Sequence, residues 1–279
     1  MLQFDLPASD EAQQPVFILG AARSGTSAIA HALLKTESFH GFQEGQALDL
    51  LAHWAVRLHE FYRIKWNDRQ PGRNTMISRI PPEYFDSGLN YLFLRAAQQL
   101  FGDGKWLDKT PNSDTIYLAP RFKQIWPHSR FIFMRRRALE NLASRVRKFP
   151  HVSFARGCEE WKEAMEAWLH VRDDLVGHAL ELDQKYVASF PQAAAEQLGD
   201  FLDLSTLDTR IVAESLAHDR PERAAERPND TLEMESLDWD DDRREAFGTI
   251  CRAMMDAFGY TEDSSYHREG IAGGGIALR

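Results

Sequence analysis

Gly20 and Gly25 lie in FILGAARSGTSAIAHALL (Phe17 to Leu34) at the spacing of the phosphate-binding pattern G-x-x-x-x-G-K-[ST]. Thr26 occupies the place of the pattern's lysine, and the nearby cation is Arg23, inside the loop. These residue types suit anion binding. Glycine lets backbone curl close to oxyanion oxygens. The first N–H groups of a helix lack intrahelical partners and lie at its positive end. Thr26 and Ser27 add hydroxyl donors, and Arg23 adds a planar fork. In ATP and GTP enzymes the loop lysine reaches the outer phosphates while a hydroxyl holds Mg²⁺. A loop without that lysine suits a smaller ligand, with one phosphate and one further acidic group.

A second set lies in FIFMRRRALENLASR. Arg136 is expected at the end of a buried strand and Ser144 two turns into the next helix. A cation and a hydroxyl so placed can both face the crevice where α/β sheets bind ligands. Three adjacent arginines favour surface exposure for at least two of them.

Strands and helices must alternate to position these groups. PVFILG, KWLDKTP and SRFIFMRR read as strands, and a short strand is expected in HALELD. Helices are expected after the loop, from Gln46, over Pro82–Leu100, over ALENLASRVRKF, around Trp161 to Leu175, and from Pro191. Ala246, Ile250, Met254 and Phe258 mark one face of a last helix. Lys65 to Pro82 reads as a basic loop carrying Lys65, Arg69, Arg73 and Arg79. The pattern predicts an α/β protein of P-loop type, in three layers, with a central parallel sheet flanked by helices. One domain spans 1–279. It has a flexible N-terminus over 1–14, a lid or loop over 219–237 and a flexible Gly-rich tail over 268–279.

The chain has 279 residues, 43% hydrophobic and 27% charged, with a formal net charge of −9. That balance is globular and argues against nucleic acid or an anionic membrane as the bulk partner, while leaving room for a local basic cleft. Its two cysteines make no disulfide scaffold, and no Cys/His cluster has metal-ligand spacing. No stretch reaches the length of a membrane span, and the polar start does not read as a signal peptide. A cytoplasmic location is expected.

Together, GAARSGTS and RFIFMRRRALENLAS resemble the two cofactor motifs of sulfotransferases that use 3′-phosphoadenosine-5′-phosphosulfate (PAPS). The first is similar to their 5′-phosphosulfate loop, in the R-S-G-T branch of glycan and protein-tyrosine sulfotransferases. The second is similar to their 3′-phosphate motif, whose Arg-to-Ser spacing selects Arg136 over Arg135 and Arg137. GFQEGQAL places Glu44 where that branch carries an acidic residue, and DKTPNS places Lys109 at its active-site lysine. Ala138 stands where the family usually has proline. The resemblance implies a sulfotransferase using PAPS, releasing 3′-phosphoadenosine-5′-phosphate (PAP) and needing no metal. It implies Glu44 as general base, with Arg23 and Lys109 stabilising the transferred group. Arg23, Ser24, Gly25, Thr26 and Ser27 would hold the 5′-phosphate, and Arg136 and Ser144 the 3′-phosphate. The acceptor would be a hydroxyl of a glycan, lipid-linked sugar or small metabolite, and a homodimer is left open. Acceptor contacts are expected on the helix from Gln46, the basic loop after it, and the segment from His151 to Trp161. Two alternatives remain: a P-loop nucleotide kinase with Asp108 as its Mg²⁺ acid, or a non-catalytic nucleotide-binding protein of the same fold.

Overall fold

A computed structural model describes residues 12–70, 72–219, 231–268 and 276–278. Strand β1 (Gln13–Gly20) carries the apolar run, and helix α1 (Thr26–Leu34) follows the loop. Next come β2 (His40–Phe42), α2 (Ala47–Ile64), α3 (Pro82–Phe101) and β3 (Gly104–Lys109). Two short helices, α4 (Ser113–Tyr117) and α5 (Ala119–Ile125), lead to β4 (Arg130–Arg135). Then follow α6 (Ala138–Lys148), α7 (Phe154–Val171) and β5 (Ala179–Asp183). The chain continues through α8 (Gln184–Ser189), α9 (Pro191–Leu202) and α10 (Thr206–His218). It ends with α11 (Asp241–Ile250), α12 (Arg252–Ala257) and β6 (Ile276–Ala277).

The strands form one sheet in the order β2-β3-β1-β4-β5-β6. The first five run parallel, and β6 pairs antiparallel with β5. Alternate residues of the central strands point to opposite faces, so each strand feeds two cores. Phe17, Leu19, Phe131 and Phe133 pack with Trp161, Met165 and Trp168 of α7 on one face. Val16, Ile18, Ile132 and Met134 pack with Ile29 and Leu33 of α1 and with Leu198 of α9 on the other. The result is the expected three-layer α/β fold. Burial on both faces explains why these strands read as unbroken apolar runs rather than alternating ones.

Strand order also places the site. After β1 the chain crosses toward β3 and β2, whereas after β4 it crosses toward β5. The neighbouring carboxyl ends of β1 and β4 therefore flank a topological switch point, where an open α/β sheet leaves a crevice.

Several expectations change. The last helix is two, because the chain breaks at Cys251 between α11 and α12. The basic loop contains two single turns of 3-10 helix, Trp66–Arg69 and Met76–Ser78. The tail expected to be flexible ends in β6, whose residues join the sheet edge, while 269–275 and 279 lie outside the described residues. In the expected N-terminal arm, Gln13 and Gln14 already belong to β1, and 1–11 lie outside the described residues. Most of the expected lid, 220–230, also lies outside them. Its described end is tied down: the Leu232 N–H donates to Glu140 at 3.0 Å, and Met234 N–H donates to the Glu262 carbonyl at 3.2 Å.

Candidate active site

Between β1 and α1 the chain makes a tight loop with two left-handed residues, Arg23 at φ 72° and Gly25 at φ 90°. Gly25 holds that conformation without penalty. Arg23 does not, and a non-glycine left-handed residue costs about 1–2 kcal/mol. Such a cost persists where the surroundings over-determine the backbone, commonly at ligand sites. Here they do. Asn141 of α6 donates to the Ala22 carbonyl and to the Ser24 hydroxyl, both at 3.0 Å. Arg136 Nη1 donates to the Arg23 carbonyl at 2.9 Å.

Both arginines singled out in the sequence thus meet at the switch point. Arg23 Nε donates to the Ser144 hydroxyl at 3.1 Å, joining the loop to the helix after β4. Arg136 is fixed in turn by Trp161 of α7, whose indole N–H donates to its carbonyl at 3.0 Å. Arg145 of α6 lies on the same side. Burial pushes the Arg136 guanidinium below its ordinary range; Tyr266 and Glu140 oppose that shift and Arg23 adds to it. Burial also lowers Arg145, with Arg156 and Arg23 acting in the same sense. The Nε atoms of Arg136 and Arg145, like Nε and Nη2 of Arg135, are buried without a hydrogen-bond partner among the described residues, while Arg145 Nη2 pairs with Glu160. Gathered cations with orphaned donors are costly unless an anion completes them. That is the local demand for an oxyanion ligand.

Arg135 and Arg137 serve the fold. Arg135 is buried 3.9 Å from Asp183 Oδ2. Arg137 is fully buried: it pairs with Glu140 and donates to the carbonyls of Thr261, Asp263 and Leu232. The expectation that two of the three arginines face solvent is therefore corrected. Arg135 lies at ion-pair distance from Asp183 of β5, and Arg137 is met by Glu140 of α6 and by carbonyls from beyond α10. The Arg137 network also sets the turn into α6, where the family's usual proline is absent.

Across the crevice, Lys109 ends β3 with its side chain 2% exposed. Its ammonium donates to Glu44 Oε1 at 2.7 Å and to the Ser27 hydroxyl at 3.2 Å. Glu44 follows β2, with its side chain 56% exposed. A buried lysine thus links the loop's helix to an open carboxylate. Thr26 is buried at the start of α1. Ser24 is also buried and its hydroxyl accepts from Asn141, so its side chain clamps the loop from behind. His40 and His53 are exposed. Asn141 and Arg145 had no assigned part in the sequence analysis, and Trp161 was expected on a helix and at the end of an acceptor segment rather than against the Arg136 carbonyl. The usable signal was spacing: Asn141 and Arg145 lie three residues before and one after Ser144 on α6.

A family model described as "Sulfotransferase family" matches residues 15–208, well over half of the chain. The chain belongs to the sulfotransferase family. Its described residues align with solved sulfotransferases at low identity. Sulfotransferase STF9 from Mycobacterium avium is 12% identical at a TM-score of 0.51, covering 93% of this chain and 79% of that one. Mouse sulfotransferase SULT7A1, solved in complex with PAP, is 11% identical at 0.49, covering 90% and 88%. A sulfotransferase from Alicyclobacillus acidocaldarius is 18% identical at 0.46, covering 92% and 100%. The first shares the fold with this chain. No curated protein matches the chain.

Within this sulfotransferase Asp108, the acid weighed for a kinase, is buried beneath Gly45. A Cβ on Gly45 would lie 1.8 Å from Asp108 Oδ2. Thr110 donates to Asp108 Oδ1 at 2.8 Å. Burial pushes its carboxyl from 3.8 up to about 6, against Thr110 and Lys109. The folded protein therefore holds this proton to higher pH than the unfolded chain does. Stability is lost as pH rises through that window, by up to about 3 kcal/mol once ionisation is complete. Asp108→Asn is expected to raise stability in urea at neutral pH, with the gain fading toward pH values of about 4. An equal gain at both pH values would show that ionisation of Asp108 is not the cause.

Proposed function

We propose that this sulfotransferase moves a sulfuryl group from PAPS to a hydroxyl acceptor, with Glu44 as general base. One observation carries the reading: Arg136 donates to the Arg23 backbone and Arg23 to the Ser144 hydroxyl, so the loop after β1 and the segment after β4 meet at one crevice. Two separated anionic groups on one nucleotide would use both halves of that crevice. The donors present fit them. The loop amides, Thr26 and Ser27 would take the 5′-phosphate, and Arg136 with Ser144 the 3′-phosphate, in charge-assisted bonds.

PAPS, when bound, supplies the sulfuryl group. The chain's own residues then position and stabilise, as in phosphoryl transfer. Glu44 takes the proton of the acceptor hydroxyl, its exposed carboxylate being open to an incoming alcohol. Lys109 holds Glu44 and Ser27 together and carries its charge at the point between acceptor and loop. Arg23 neutralises charge on the loop side. Release of the Lys109 ammonium from Glu44 toward the leaving phosphate would free the base as negative charge develops there.

Purified protein given PAPS labelled in its sulfuryl group is expected to label hydroxyl acceptors in a screen of glycans, lipid-linked sugars and small metabolites. Transfer of γ-phosphate label from ATP and Mg²⁺ instead would establish the kinase alternative. PAP binding with no turnover on any acceptor would favour a nucleotide-binding protein.

A further inference from the structure

Helix α2 has two apolar faces. Leu51, Ala55 and Tyr62 are buried against the body of the protein. Leu50, Trp54, Phe61 and Ile64 are large, exposed, and spaced with Arg57 at intervals of four and three residues, which aligns them on a second face. Exposure is 42–47% at Leu50, Trp54 and Phe61 and reaches 67% at Ile64. The segment after α2 extends it with Trp66, 60% exposed, and Met76, 77% exposed. Arg69 pins this segment back, lying 4.5 Å from the Tyr62 ring and 5.6 Å from that of Trp66. Tyr62, on the buried face, in turn meets Phe85 of α3 at 6.0 Å, which ties this segment to the body of the protein.

The same stretch is basic. Between Val56 and Arg79 there are six Lys and Arg side chains against Glu60 and Asp68, in a chain of net charge −9. Arg57 pairs with Glu60 and Lys65 with Asp68, while Arg63, Arg73 and Arg79 are exposed. Adjacent apolar and cationic side chains on an outer helix face suit the headgroup boundary of an anionic bilayer. A second copy of this face would bring like charges together, which opposes self-association. A free small acceptor needs a concave site, and the outer stripe of a helix is convex.

Position ties this surface to the crevice. Glu44 lies three residues before the start of α2, and Asn112 at the start of α4 donates to Asp49 in the first turn of α2 at 2.8 Å. From Leu50 the stripe runs away from Glu44 for about 21 Å, at the helical rise of 1.5 Å per residue.

We propose that the face formed by α2 and the segment after it docks on an anionic lipid surface, and that the acceptor hydroxyl belongs to a membrane lipid. The second part rests on the sulfotransfer reading above. Docking brings the exposed Glu44 carboxylate to the headgroup layer, where a lipid-borne hydroxyl can enter without the lipid leaving its bilayer. The negative bulk of the protein then faces away from the membrane.

Co-sedimentation of the full chain with vesicles tests it. Binding is expected to phosphatidylcholine vesicles containing phosphatidylglycerol, to weaken with added salt, and to be far weaker with phosphatidylcholine alone. Arg63→Gln and Arg73→Gln should each weaken it about fivefold. The double variant Ile64→Ser, Trp66→Ser should weaken it about tenfold or more. Each variant should keep wild-type PAP affinity by calorimetry, showing an intact fold and crevice. Equal binding to neutral and anionic vesicles, or wild-type binding by the double variant, would overturn the docking. So would a wild-type dimer that the double variant converts to monomer. PAP binding without vesicle binding removes the docking and leaves the sulfotransfer reading standing. Vesicle binding without PAP binding does the reverse. With a hydroxylated glycolipid in the vesicles, sulfuryl label from PAPS is expected in the organic phase; label confined to water-soluble acceptors would overturn the lipid acceptor.

Discussion

Arg136→Ala is expected to weaken PAP binding about 30- to 150-fold, the cost of removing roughly 2–3 kcal/mol of charged hydrogen bonding. Its Nε is buried and has no hydrogen-bond partner among the described residues, so the donor is already desolvated before any ligand arrives. A phosphate there gains a charge-assisted bond without the usual desolvation of the arginine. The same side chain also supports the loop through its bond to the Arg23 carbonyl. Loss of affinity by itself could then reflect loop distortion. Adenosine 5′-phosphosulfate separates the two effects, because it lacks the 3′-phosphate but uses the same loop. If Arg136 holds the 3′-phosphate, PAP affinity falls and affinity for adenosine 5′-phosphosulfate changes little. Equal loss for both ligands would reassign Arg136 to loop support. Unchanged PAP affinity by calorimetry would remove the 3′-phosphate site altogether.

Glu44→Gln is expected to lower kcat by about 10²- to 10⁴-fold, the usual worth of a general base. PAP affinity should remain at the wild-type level. The amide is the right probe because it preserves an acceptor oxygen for Lys109, now 2.7 Å from Glu44 Oε1. Truncation to alanine would leave a 2%-exposed lysine with the Ser27 hydroxyl as its remaining recorded bond, mixing loss of the base with displacement of the cation. Single-turnover transfer from labelled PAPS gives the readout free of product release. Wild-type turnover by Glu44→Gln would dismiss the carboxylate as base and turn attention to His40 or His53, both exposed.

Much of the fold was legible because both faces of the sheet are covered. Val16 to Leu19 and Phe131 to Met134 are buried throughout, so their unbroken apolar runs mark strands directly. The break between α11 and α12 was not legible. Ala246, Ile250, Met254 and Phe258 keep helical spacing across it, and spacing is blind to an interruption of one residue. The edge strand β6 was hidden for a different reason. Two residues after a glycine run carry too little pattern, and only the exposed edge of β5 gives them a partner.

The amino-acid sequence by itself determined the alternation of strands and helices and the lysine-free loop, whereas Arg136 was singled out from its two neighbours through the Arg-to-Ser spacing of the motif it resembles. Those features are local: periodicity, glycine placement and residue type act within a few residues of one another. Tertiary structure alone decided what each charge meets. Arg135 and Arg137 are chemically identical to Arg136, yet Asp183 and Glu140, with carbonyls from distant segments, claim the two neighbours. Arg136 lies beside the loop because parallel strand order sets β1 against β4. Electrostatic partnership depends on distance in space, and only the crossing of the chain between layers fixes that distance.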